Sequence, residues 1–120
     1  MDAAEMDLFT SIELFGQKIS DNKDVLMLLK NWSPNIIIES YDSKKIFTLK
    51  IGDQGIENIA LKEELCDHEI RLLANETILL LIFSGKMNPA EAVFNGELEI
   101  YGDVKDQIKL DAITLLIWGV

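Results

Sequence analysis

Six apolar residues stand in an unbroken row at positions 78–83 (Ile-Leu-Leu-Leu-Ile-Phe), the longest such run in the chain. Asn75 precedes the run and Gly85 follows it. An Asn side chain accepts from the free N–H groups of a first helical turn, and a glycine readily ends a helix, so the spacing predicts a helix over 76–84. That helix has no polar face over nearly two turns and must be covered all round. It is far too short to span a bilayer, which takes about 20 apolar residues. Whatever the chain folds into must place other elements on more than one side of this helix.

The rest of the chain supplies the material for that cover. It has 120 residues, enough for one domain over 1–120, and 48% of them are apolar, with 17 Leu, 16 Ile and only 4 Val. A domain of this length has a radius of gyration of about 13–14 Å. Against this oily content stand 21 acidic and 11 basic residues, a net charge of −10. The combination excludes a disordered acidic tail, which needs low hydrophobicity. The negative charge argues against nucleic acid, whose phosphates it repels, and against docking on anionic leaflets, which attract polybasic segments. The single Cys, Cys66, can form no internal disulfide, so the fold owes nothing to an oxidising compartment. The acidic start, Met-Asp-Ala-Ala-Glu-Met-Asp, lacks the basic and apolar segments of a secretory signal, and the end, Ile-Trp-Gly-Val, is not a peroxisomal address. These features predict a cytoplasmic protein.

Leu8, Ile12, Phe15 and Ile19 recur at helical spacing and define a first helix, which Gly16 is expected to weaken or end early. Ser20 or Asp21 is expected to cap a second helix carrying Val25, Leu28, Leu29 and Trp32, which Ser33-Pro34 stops. Strands are expected over 35–41, 45–51, 56–61 and 66–74, with turn clusters at Asp42-Ser43-Lys44 and Gly52-Asp53-Gln54-Gly55. Phe47, Leu49 and Ile51 share one face of the second strand. Consecutive strands joined by short turns predict an antiparallel meander. After the apolar helix, Asn88-Pro89-Ala90-Glu91 starts a short helix that Asn95-Gly96 ends. A strand over 97–101 and a final helix over 104–118 follow, with Gly102-Asp103 between them. Helices, then a sheet, then helices point to an α+β fold with the helices on one sheet face.

Little in the chain points to catalysis or metal binding. Cys66 and His68 are the one place where Cys, His and carboxylates cluster. A metal needs three or four converging ligands, and there is no second His or Cys to supply them. As a nucleophile pair they would sit about 6–7 Å apart on one strand face, too far for a hydrogen bond. Gly85, Gly96 and Gly102 match no phosphate-binding loop, and turns and caps explain them. The basic residues are scattered, which also counts against a ligand with several phosphates, such as a CoA ester. No metal, cofactor or catalytic residue is therefore expected.

The segment 83–103 (Phe-Ser-Gly-Lys-Met-Asn-Pro-Ala-Glu-Ala-Val-Phe-Asn-Gly-Glu-Leu-Glu-Ile-Tyr-Gly-Asp) resembles the sterol carrier protein type two family. It is similar to that family's run of Ser-Gly-Lys, Asn-Pro, an alanine, aromatic-x-Gly, a short strand and Gly-Asp, and the order of elements agrees over 22–118. The resemblance implies a five-stranded, largely antiparallel sheet with helices on one face, enclosing an apolar tunnel for a sterol, fatty acyl or isoprenoid lipid, and no catalysis. It implies a free-standing, prokaryotic member. The walls expected to bind lipid are Leu79, Phe83, Met87, Phe94, Ile108, Ala112, Leu115 and Trp118 from the helices, with Phe47, Leu49 and Ile100 from the sheet. The charge favours a neutral or weakly polar lipid and transient contact with a membrane. Two alternatives stay open: a module presenting an isoprenoid or quinone precursor to biosynthetic enzymes, or a homodimer with a filled core whose seam is Leu115-Leu116-Ile117-Trp118.

Overall fold

In a computed structural model, residues 7–119 are described; the acidic start over 1–6 and residue 120 lie outside the described residues. Helix α1 (Leu8–Ser20) opens on Asp7, whose side chain accepts from the Thr10 N–H at 2.7 Å. Its apolar stripe, Leu8, Ile12, Phe15 and Ile19, is fully buried. Gly16 does not end the helix. A Cβ there would lie 2.8 Å from Cγ1 of Ile56, so the missing side chain lets α1 press against the sheet. Helix α2 (Lys23–Leu28) is capped by Asn22 rather than Ser20 or Asp21, and it stops well before Pro34, in a turn where Asn31 takes φ 61°.

The sheet has five strands: β1 (Asn35–Ser40), β2 (Lys45–Gly52), β3 (Gly55–Lys62), β4 (Ile70–Ala74) and β5 (Glu99–Gly102). Their order is β3-β2-β1-β4-β5. Strands β1, β2 and β3 form the expected antiparallel meander, and β5 is antiparallel to β4. The fourth strand departs from it, because β4 pairs with β1 and runs parallel to it. It is also shorter than expected, starting at Ile70 instead of Cys66.

The register shows what the missing residues do. Lys62 ends β3 beside Ile46, which pairs with Glu39 near one end of β1. Ile70 starts β4 beside Ile36, near the other end. Residues 63–69 therefore travel back along the sheet as a strap, a charged and exposed connection fastened where the Glu69 N–H donates to the Asn35 carbonyl at 3.0 Å. The helices occupy the opposite face, so the strap crosses the face on which Ile37 and Thr48 are buried.

Helix α3 (Glu76–Phe83) buries Ile78, Leu79, Ile82 and Phe83, while Leu80 and Leu81 stay partly exposed. The all-apolar helix is thus covered on most of its circumference, not all of it. Helix α4 (Pro89–Phe94) starts as expected, with the Asn88 side chain accepting from the N–H groups of Ala90 and Glu91 at 2.7 and 3.2 Å. Helix α5 (Val104–Trp118) closes the fold and ends on Gly119 at φ 74°. One core joins α1, α3 and α5 to the Ile36/Ile38 side of the sheet, and the radius of gyration is 13.2 Å. Among the described residues no helix is long and apolar enough to cross a membrane.

Candidate functional site

Between α5 and the helix-facing side of the sheet lies a pocket of about 310 Å³, near the lower end of the range for ligand sites, about 300–1,000 Å³. Its floor is Ile36, Leu49, Leu72 and Ile100, one residue from each of β1, β2, β4 and β5. Alternation along the strands puts all four on the same face. Phe15 of α1 with Ile82 and Phe83 of α3 close the inner end. Phe15 and Phe83 meet edge to face, with ring centroids 5.2 Å apart at 81°. Pro89, Ala90 and Val93 of α4, with Leu98, form one rim.

Helix α5 forms the other side. Val104, Gln107, Ile108, Asp111 and Thr114 fall at helical spacing and all line the pocket. Val104 and Ile108 are 70% and 63% exposed, so the pocket opens to solvent beside them. The site is therefore an open apolar groove, and a closed tunnel is not seen. Near its start, α5 is held to the turn after α2, where the Trp32 Nε1–H donates to the Asp106 carboxylate at 2.8 Å and Lys109 Nζ lies 5.3 Å from the Trp32 ring centroid. Its far end is held by Trp118, whose ring packs on Gly85 and lies under Lys18 Nζ, 5.2 Å from the centroid.

Of the eleven residues expected in the walls, Leu49, Phe83, Ile100 and Ile108 line the pocket. The other seven lie elsewhere. Phe47 packs against Phe9, with centroids 6.0 Å apart, and Leu79 is fully buried in the core. Met87 packs on the core edge, beside a separate polar hollow lined by 85–88, Glu91, Asn95 and Glu97. Phe94 is 90% exposed and Leu115 56% exposed, while Ala112 is half-buried and Trp118 anchors the end of α5. Of the four α5 residues expected in the wall, Ile108, Ala112, Leu115 and Trp118, Ile108 lines the pocket, and the polar Gln107, Asp111 and Thr114 line it on the same helix.

Outside the pocket, the described chemistry-bearing residues are scattered over the surface. Cys66 and His68 are exposed on the strap, and His68 Nδ1 bonds to the Cys66 carbonyl at 2.7 Å. No group of three or more His, Cys, Asp or Glu among the described residues is placed to hold a metal ion. On the strap face, Arg71 pairs with Glu39 at 2.6 Å and stacks toward Tyr101, 5.7 Å from its centroid. The hydrogen bond to Glu99, with burial and the Glu99 charge behind it, holds the Tyr101 phenol above its usual pKa.

Comparisons with known proteins agree on the fold. The sterol carrier protein domain 2 of Helicoverpa armigera superposes with a TM-score of 0.70 at 15% identity, covering 100% of this chain and 94% of that one. Palmitated SCP2L2 from Aedes aegypti matches with a TM-score of 0.63 at 13% identity, covering 91% and 95%. A UbiJ-SCP2 ubiquinone synthesis protein matches with a TM-score of 0.69 at 14% identity, covering 92% and 95%. No curated protein sequence matches. The sequence model of the SCP-2 sterol transfer family matches residues 12–114, nearly the whole folded body described above. The helix-covered sheet and the 83–103 motif thus belong together, and the chain is a member of the SCP-2 sterol transfer family.

Proposed function

We propose that the chain binds the apolar part of a lipid, of sterol, fatty acyl or isoprenoid class, in the pocket under α5. It shields that part from water and can pass it on, without catalysing a reaction. The observation that carries this reading is the pocket itself: the buried Ile36, Leu49 and Leu72 with the half-buried Ile100 form its floor, and it reaches solvent beside Val104 and Ile108 with apolar side chains nearly throughout. Each methylene taken out of water contributes about 0.8 kcal/mol. A dozen would give near 10 kcal/mol at most, before ordering costs reduce it. Micromolar affinity needs about 8 kcal/mol, so apolar burial alone is of the right size. Family membership supports the reading, as does the palmitate on the Aedes aegypti relative.

Loading and release would use the open side beside Val104 and Ile108 during brief contact with a donor or acceptor membrane. Native mass spectrometry of protein purified from cells is expected to show a co-purified lipid. Protein that is free of lipid, and that also fails to bind fluorescent fatty acids and sterols, would overturn the proposal.

A further inference from the structure

The polar groups of the pocket all lie along one rail. Among the described residues, Gln107, Asp111 and Thr114, at three- to four-residue spacing on α5, are the only polar side chains lining it. Two of them already spend donors on the backbone: the Thr114 hydroxyl donates to the Asp111 carbonyl at 2.8 Å, and Gln107 Nε2 donates to the Gly102 carbonyl at 2.8 Å. What they present to the pocket is mostly acceptor capacity, with the Asp111 carboxylate as the strongest acceptor. No Lys, Arg or His among the described residues lines the pocket. Lys109, on the same helix, is drawn toward the Trp32 ring. Neither ion pair of the described residues involves Asp111. Asp111 is exposed while Ile36 and Leu72, which line the same pocket, are buried, so a lipid with its tail on those two residues can carry its head toward Asp111.

We infer that the site selects lipids whose head is an uncharged hydrogen-bond donor, a long-chain alcohol or another hydroxyl lipid, and discriminates against carboxylates, with Asp111 as the discriminating residue. The inference rests on the lipid-binding reading above. A hydroxyl head donates to the Asp111 carboxylate and keeps a charge-assisted bond at the edge of the pocket. A fatty acid anion places a like charge there with no cation to offset it. A methyl ester brings neither the donor nor the charge.

The test displaces Nile red from the full-length protein at neutral pH with dodecan-1-ol, dodecanoate and methyl dodecanoate. The alcohol is expected to bind about tenfold more tightly than dodecanoate, with the ester between them. Asp111→Asn is expected to strengthen dodecanoate about fivefold without strengthening the alcohol, and Asp111→Lys to reverse the order. Asp111 is exposed, so both variants keep the fold, which circular dichroism checks. Equal binding of alcohol and acid by the wild type, or an alcohol-to-acid ratio unmoved by Asp111→Asn, overturns the inference and leaves the lipid reading standing. Failure of Nile red and all three compounds to bind overturns both.

Discussion

Gly85 and Gly96 follow α3 and α4 and take almost the same backbone, φ 79° and 75°, yet their surroundings differ. A Cβ at Gly96 would meet nothing within 4 Å, whereas at Gly85 it would lie 2.5 Å from the Trp118 ring. Gly96→Ala should therefore cost only the left-handed strain, about 1 kcal/mol in urea unfolding. Gly85→Ala should cost clearly more and shift Trp118 emission, because the ring must move. Asp42 makes a different prediction. Its Oδ1 accepts from the Ser40 hydroxyl at 2.8 Å and from the Glu76 and Ser43 N–H groups, each at 2.9 Å. The Ser40 bond foremost, then that from Glu76, lowers its pKa below the usual carboxylate value. Such a group stabilises the fold above its unfolded pKa of about 3.9, and that stability is lost as pH falls through the lower native value. Asp42→Asn should thus be less stable than wild type at neutral pH, with the gap between their urea midpoints closing as pH falls below the unfolded pKa of about 3.9 and through the lower native value. At this scale the sequence was readable where a residue acts on its own neighbours, as Asn75 and Asn88 do in capping α3 and α4. It misled at Gly16, expected to weaken or end α1, because what favours glycine there is Ile56, forty positions away.

Whole elements were legible when caps and periodicity acted together, and α5 runs over the expected span, Val104–Trp118. Which face of an element does what was harder to see. Leu115 and Leu116 are more apolar than Gln107 and Asp111, yet the former pair is exposed away from the pocket and the latter pair lines it. Hydrophobic periodicity reports that a face is buried and cannot tell packed core from cavity wall. The parallel pairing of β4 was hidden for a related reason, since it depends on where the strap 63–69 carries the chain and not on the strand's own residues. Ile108 gives the sharpest test of the revised wall. It is 63% exposed and lines the pocket, so Ile108→Glu should change stability by no more than about 0.5 kcal/mol. The same substitution should weaken Nile red binding about tenfold, because it sets a charge against the apolar tail. Unchanged binding would move the site elsewhere.

For the molecule as a whole, a net charge of −10 surrounds a large apolar core, with apolar side chains such as Phe94, Val104 and Ile108 left exposed beside the groove and its rim. Helix α5 forms one side of the groove, so its anchors set how firmly that wall is held. Trp32→Phe removes the 2.8 Å bond to Asp106 while keeping the ring, at a cost of about 1 kcal/mol. It is expected to raise the dissociation rate of Nile red severalfold in stopped-flow measurements, with a smaller effect on the equilibrium affinity of the site. The anchors of that helix have a practical consequence. The chain has two tryptophans, and one holds each end of α5. Trp32 is hydrogen-bonded to a carboxylate, while the Trp118 Nε1 is buried without a partner among the described residues. The two indoles therefore sit in unlike surroundings and should emit at different wavelengths. The protein's own fluorescence would thus report on both ends of α5 as a lipid is added, with no added dye.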